Sequence, residues 1–182
     1  MKTFLIAVLL IAVLPARAGE ISDYHSKHAR DKFGDYRQSR NYSEVISTNH
    51  GITEIGIERT ACFGTCPVYT FIIKSDGTFR YKGNRYVERL GDFTGKVPVW
   101  YFHQLAQFIR DSGYMELNDG YTCGVTDNPT TYTMVVMNGT RKTVSNYAQA
   151  GPTKLWAVEE LIDDLMSKAK WDDRQKTADQ KP

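Results

Sequence analysis

The chain has 182 residues, 41% of them hydrophobic and 24% charged, with a formal net charge of +2 at pH 7. That length suits one domain. The charge gives no electrostatic reason to expect nucleic acid or an anionic membrane as a partner.

The elements begin with a three-part N-terminus. Lys2 supplies a positive charge, Phe4 to Leu14 is an unbroken apolar run, and Ala16-Arg17-Ala18 places small residues where a signal peptidase reads. Residues 1–18 therefore predict a signal peptide cut after Ala18. The run is too short for a membrane anchor, which needs about 20 apolar residues, and no later stretch is long and apolar enough to span. Cleavage would remove Lys2 and Arg17 and no acid, leaving 21 Lys+Arg against 21 Asp+Glu. Export predicts a periplasmic or secreted protein in an oxidising compartment. Residues 19–50 are polar, hold no period and read as a flexible arm. Residues 172–182 read as a disordered tail, so the folded domain is expected over 51–171.

Within the domain, Ile52–Arg59 alternates and predicts a half-buried strand. Pro67–Lys74 is apolar on both faces and predicts a central strand. Asp76-Gly77 predicts a type I′ hairpin turn, with Thr78–Lys82 as the next strand. Gly83-Asn84 predicts a second tight turn leading to a strand over Arg85–Leu90. The segment Lys74–Lys96 is locally basic and reads as a solvated face. Tyr101, Phe102, Leu105, Phe108 and Ile109 recur at three and four, a helix that starts near Pro98 and stops at Gly113. Glu116–Thr130 has no period and reads as a loop. Thr131–Met137 and Thr140–Tyr147 flank Asn138-Gly139, another hairpin. After Gly151-Pro152 a last helix carries Leu155, Val158, Ile162, Leu165 and Ala169 as its apolar stripe, with Glu159, Glu160, Asp163 and Asp164 largely outside it. The predicted fold is α+β: one antiparallel sheet with both helices packed on one face, in the order β-β-β-β-α-β-β-α. Each half is a hairpin followed by a helix.

The most distinctive string is Cys62-Phe63-Gly64-Thr65-Cys66-Pro67. In an exported protein a disulfide between Cys62 and Cys66 is the default reading, worth about 2 kcal/mol on the chain-entropy model. A redox or metal role stays open. Catalytic dithiols usually sit at a helix N-terminus, which lowers the thiol pKa, and here a strand follows. Over six residues the string also resembles the copper-binding loop of thioredoxin-like copper chaperones for respiratory oxidases, and thiolates suit copper(I) or zinc. The histidines are His25, His28, His50 and His103, and none has ligand-like spacing to the pair, so no metal or cofactor is expected. Cys123 is the odd cysteine, in the loop around Asp119–Thr130. Asp119 and Asp127 in that loop could act as acid and base in a hydrolase, or could cap turns.

Taken together, the strings match a known pattern. Arg59-Thr60-Ala61-Cys62-Phe63-Gly64-Thr65-Cys66-Pro67-Val68-Tyr69 is followed by Asp76-Gly77. Tyr121 leads to Asp127, Pro129 and Thr130, then Arg141-Lys142-Thr143-Val144 to Tyr147. Gly151-Pro152 and Ile162-Asp163 complete it. The chain thus resembles a bacterial family, the domain of unknown function six-four-three-eight, over about Ile52 to Trp171. The resemblance implies a bacterial exported or envelope protein and no particular reaction. Cys123 is outside the pattern.

The functional expectation is a non-catalytic binding module for another envelope or extracellular protein. Its rim would be the loops Arg59–Pro67 and Asp119–Thr130, with Phe63 and Tyr121 as aromatic anchors and Arg59 and Asp127 as polar partners. The alternatives are a thiol or metal protein acting through Cys62 and Cys66, and a hydrolase using Asp119 and Asp127.

Overall fold

A computed structural model describes residues 48–172. The signal peptide expected over 1–18, almost all of the arm over 19–50 and nearly the whole of the 172–182 tail lie outside the described residues.

Eight strands form one sheet: β1 Ile52–Arg59, β2 Val68–Lys74, β3 Thr78–Arg85, β4 Gly91–Lys96, β5 Gly120–Tyr121, β6 Thr130–Met137, β7 Thr140–Tyr147 and β8 Lys170–Trp171. Two helices, α1 Val99–Asp111 and α2 Thr153–Ser167, follow β4 and β7. A 3-10 turn spans Tyr114–Glu116. The order across the sheet is β5-β7-β6-β1-β2-β3-β4-β8. β1 is therefore interior, pairing antiparallel with both β2 and β6.

Period-two alternation sets the inward face. Ile55 and Ile57 on β1 stand across from Ile73 and Phe71 on β2. Phe71 and Ile73 stand in turn across from Tyr81 and Phe79 on β3. These side chains, with Val135, Val144 and the buried stripes of both helices, form one apolar cluster. The stripes are Phe102, Leu105, Ala106 and Ile109 on α1, and Leu155, Val158, Ile162 and Leu165 on α2. The class is thus α+β, with a mostly antiparallel sheet and, among the described residues, two helices.

The structure departs from the expected elements in three places, of which the third alone changes their order. First, the chain does not turn at Gly83-Asn84. β3 runs on through both residues, and the turn falls at residues 86–90, where Tyr86 takes a left-handed φ of 54°. The strand expected over Arg85–Leu90 is that loop, and β4 begins at Gly91. Gly83 is there for close approach rather than for bending. A Cβ on it would collide with the Arg89 carbonyl oxygen and stand 2.9 Å from both the Tyr81 hydroxyl and Val87. Gly83→Ala is expected to cost about 3 kcal/mol, the upper end of overpacking, because backbone yields less readily than a side-chain tip. Urea unfolding measures this, and a loss below about 0.5 kcal/mol, the scale of a neutral surface change, would mean that the 86–90 loop swings away freely.

Second, Asp76-Gly77 makes a three-residue connection in which only Gly77 is left-handed, with φ 80°. The Gly77 N–H bonds the Lys74 carbonyl at 2.9 Å, and Asp76 caps the turn through the Thr78 N–H and hydroxyl. Asn138-Gly139, by contrast, has φ of 50° and 79° at its two residues, as a type I′ turn requires.

Third, the two-residue strands β5 and β8 were not anticipated. β5 pairs parallel with β7, and β8 pairs antiparallel with β4. They close the two edges of the sheet with very short strands, which limits edge-to-edge association. Among the described residues no helix is long and apolar enough to cross a membrane.

Candidate functional site

The site grows from the end of β1. Arg59 is the last residue of that strand, and its cross-strand neighbours are Tyr69 on β2 and Thr131 on β6. All three project onto the helix side, beneath α2. The Arg59 Nη2 donates to Asp163 Oδ2 at 2.6 Å, and its Nε donates at 3.1 Å to Asp163 Oδ2 and to the Tyr69 hydroxyl oxygen. The Nη1 donates to Thr131 Oγ1 at 3.1 Å. The Tyr69 hydroxyl donates to Asp163 Oδ1. Both oxygens of the carboxylate are therefore used, one by the guanidinium and one by the phenol. Glu160 adds a looser contact, 3.7 Å from the guanidinium.

The electrostatics follow. Burial alone would lower the pKa of Arg59. The Asp163 charge, the Tyr69 side chain and their hydrogen bonds outweigh it and hold the guanidinium more firmly protonated. Burial, then the charge and hydrogen bond of Asp163, push the Tyr69 hydroxyl well above its ordinary range. This cluster fastens α2 onto β1 and β2.

Between Arg59 and Tyr69 the chain makes one short excursion, closed by the Cys62–Cys66 disulfide. Two strands flank it, so neither thiol sits at a helix N-terminus. The Gly64 N–H bonds the Cys62 carbonyl at 2.9 Å, which turns the chain sharply and leaves Phe63 at the tip, 91% exposed. The Phe63 N–H bonds the Asp127 carbonyl at 3.1 Å, and Thr60 and Thr130 exchange three hydrogen bonds. The two loops singled out in the sequence are thus brought side by side.

The named residues have different placements. Phe63 faces outward, whereas Arg59 is turned inward and used by the fold. Tyr121 is half-buried in β5, and its hydroxyl accepts the Asn118 N–H at 3.2 Å. Asp127 is exposed with a left-handed φ of 67°, and its carboxylate accepts the Thr126 hydroxyl at 2.9 Å. Asp119 pairs with Lys142 on β7, so the two aspartates hold different partners. Cys123 is an exposed free thiol. His50 contacts Arg110 at 2.7 Å. Among the described residues no group of three or more His, Cys, Asp or Glu is placed to hold a metal.

Beside the Arg59 cluster lies a cleft of about 490 Å³, walled by Pro67, Tyr69, Tyr81, Tyr86, Val87 and Trp171. Asp163, Glu88 and Arg89 supply its charged groups. Trp171 packs edge-on against Tyr81 and Phe93, and the Arg89 guanidinium lies over the Trp171 ring at 4.7 Å. Nothing in the sequence reading pointed to this cleft. Its far wall belongs to the 86–90 loop and to β8, the segments whose structure was misassigned.

A family described as Domain of unknown function (DUF6438) matches residues 53–166. The chain belongs to this family. No curated protein matches the chain. The DUF6438 match contains the disulfide loop, Arg59, Tyr69 and Asp163, so every member of the hydrogen-bonded cluster lies within the family's span. Trp171 and β8 lie beyond it. The cleft is therefore built partly from DUF6438 residues and partly from a segment outside the match.

One further group was misplaced by the sequence reading. Glu159 belongs to a set of four acids expected largely outside the apolar stripe of the last helix, yet it is fully buried. It stands four residues after Leu155 and three before Ile162, so helical geometry puts it on the inward face. Its Oε1 accepts the Asn146 amide at 2.9 Å, and the Asn146 Oδ1 accepts the Gly151 N–H at 2.8 Å.

Proposed function

We propose that the protein is an exported, non-catalytic binding module whose rim, led by Phe63, docks on another envelope or extracellular protein. One observation carries the reading. A phenylalanine 91% exposed sits at the tip of a loop closed by a disulfide and hydrogen-bonded to its neighbour. Exposing a whole phenyl ring forgoes about 2 kcal/mol of burial, and the ring supports no core contact in return. A rigid loop that presents an aromatic side chain loses little entropy on docking, which suits an anchor residue. The neighbouring Asp127 offers a carboxylate for orientation. The apolar run before Ala18 supports export.

The test places a photo-reactive benzoylphenylalanine at position 63 of the full chain and irradiates intact cells. Arg141, on the opposite face of the sheet, is the control position. A single adduct is expected at 63 and none at 141, with the joined peptide coming from an exported or envelope protein. Phe63→Ala should leave the melting midpoint unchanged. No adduct at 63, equal labelling at both positions, or an adduct to a cytoplasmic protein would overturn the reading.

A further inference from the structure

The cleft between the 86–90 loop and α2 is a second concave surface, distinct from the Phe63 rim. Its volume, about 490 Å³, falls within the range of small-ligand sites, about 300–1,000 Å³. Tyr69, Tyr81, Tyr86 and Trp171 give it aromatic surface. Among its polar groups, Arg89 and Tyr81 stand out, because neither side chain makes a hydrogen bond to the described residues.

The first is Arg89. Its guanidinium lies over Trp171 at 4.7 Å and near Phe93 at 5.9 Å, and no carboxylate pairs with it among the described residues. Stacking fixes the plane of the group while leaving its N–H donors unused. The second is Tyr81. Its side chain lines the cleft, the residue is 6% exposed, and its hydroxyl has no hydrogen-bond partner among the described residues. The Tyr81 hydroxyl is not sealed from the cleft, so it stands available to a ligand that enters.

The stacked guanidinium of Arg89, with its donors unused, sets the ligand's sign. Asp163 is already matched by Arg59. Glu88 alone opposes an incoming anion, and Arg89 attracts it.

We propose that this cleft binds an organic carboxylate with a flat apolar body. The carboxylate takes the Arg89 donors, the body lies against Tyr86 and Trp171, and the Tyr81 hydroxyl bonds a polar atom of the ligand. Such a group occurs in free aromatic acids and at the C-terminus of a peptide that ends in an aromatic residue. Both share the chemistry recognised.

The experiment follows the Trp171 indole N–H by NMR in the intact protein. Indole-3-acetate is one probe, and indole-3-acetamide is its uncharged counterpart. Acetyl-Gly-Gly-Phe, with a free or an amidated C-terminus, is the second pair. Each acid should give a saturable shift, at least about tenfold tighter than its amide, as a charge-assisted pair worth about 1.5–3 kcal/mol requires. The tighter of the two acids identifies the source. Arg89→Gln should weaken the acids to the level of the amides, and Glu88→Gln should tighten them severalfold. No saturable shift with either acid up to about 10 mM, the weak limit of useful affinity, or equal affinity for acid and amide, would overturn the proposal. The amide comparison needs no variant, so a misfolded Arg89→Gln would not blunt it. The Phe63 crosslink is read independently.

Discussion

Arg59→Ala is expected to destabilise the domain by about 3 kcal/mol, read as a lower urea midpoint at unchanged slope. The size follows from burial. The Arg59 side chain is 16% exposed and that of Asp163 28%, so neither charge is freely hydrated. A fully exposed ion pair would contribute about 0–1 kcal/mol. Here, removing the guanidinium leaves the partly buried Asp163 carboxylate of α2 without its cation and takes donors from Tyr69 and Thr131 together. Tyr69→Phe removes one hydroxyl and should cost nearer 1 kcal/mol. Arg59→Met combined with Asp163→Leu should recover much of the loss, because the stranded charge is then gone. A loss of under about 1 kcal/mol for Arg59→Ala would show that the cluster behaves as a surface pair.

This bears on function as well as stability. The arginine and the tyrosine of the cysteine motif are both accounted for by the attachment of α2, and the two cysteines by closure of the loop between them. Phe63 is what stability leaves unexplained. Phe63 is the large apolar motif side chain that the fold leaves in solvent.

The sequence reading succeeded where one physical signal acted alone. Ile52–Arg59 and Thr140–Tyr147 are bounded as expected, because each alternates cleanly between two turn signals. The helices were legible from apolar side chains at three and four. The disulfide was legible because two cysteines four positions apart flank a glycine in an otherwise strand-bound loop. Gly83 misled because glycine marks both turns and close backbone approach, and only the position of the Arg89 carbonyl tells them apart. β5 and β8 have two residues each, too few to show a period, and their existence depends on the edges they cover. Glu159 was misplaced by its charge. Its spacing to Leu155 and Ile162 already placed it inward, and the spacing should have outranked the residue type. The Arg59 cluster gathers residues from β1, β2, β6 and α2, whose meeting depends on register and helix placement that no local pattern encodes.

The stability of the domain is expected to fall as pH rises from about 4.5 to about 7, with Glu159 as the cause. Burial raises the pKa of its carboxyl to about 7. The Asn146 amide and the Arg59 charge pull it down, while Asp163 and Glu160 push it further up. Its Oε2 is buried and has no partner among the described residues, so ionisation places charge on an oxygen that nothing solvates. Below about 4.5 the side chain is protonated whether the chain is folded or unfolded, and the full stability is present. Between about 4.5 and 7 the unfolded chain releases the proton that the folded chain keeps, so stability declines. Above about 7 the decline is complete, at about 3 kcal/mol for a shift of this size. Glu159→Gln keeps the shape and the acceptor for Asn146 but cannot ionise. Its urea midpoint should change little between pH 5 and pH 8, and at pH 8 it should exceed that of the natural protein. Parallel pH profiles for the two proteins would refute the assignment. The Arg59 variant supplies an independent check, because that guanidinium helps to hold the Glu159 pKa down. In Arg59→Ala the inflection should move to higher pH, a displacement that a merely steric role for Arg59 would not produce.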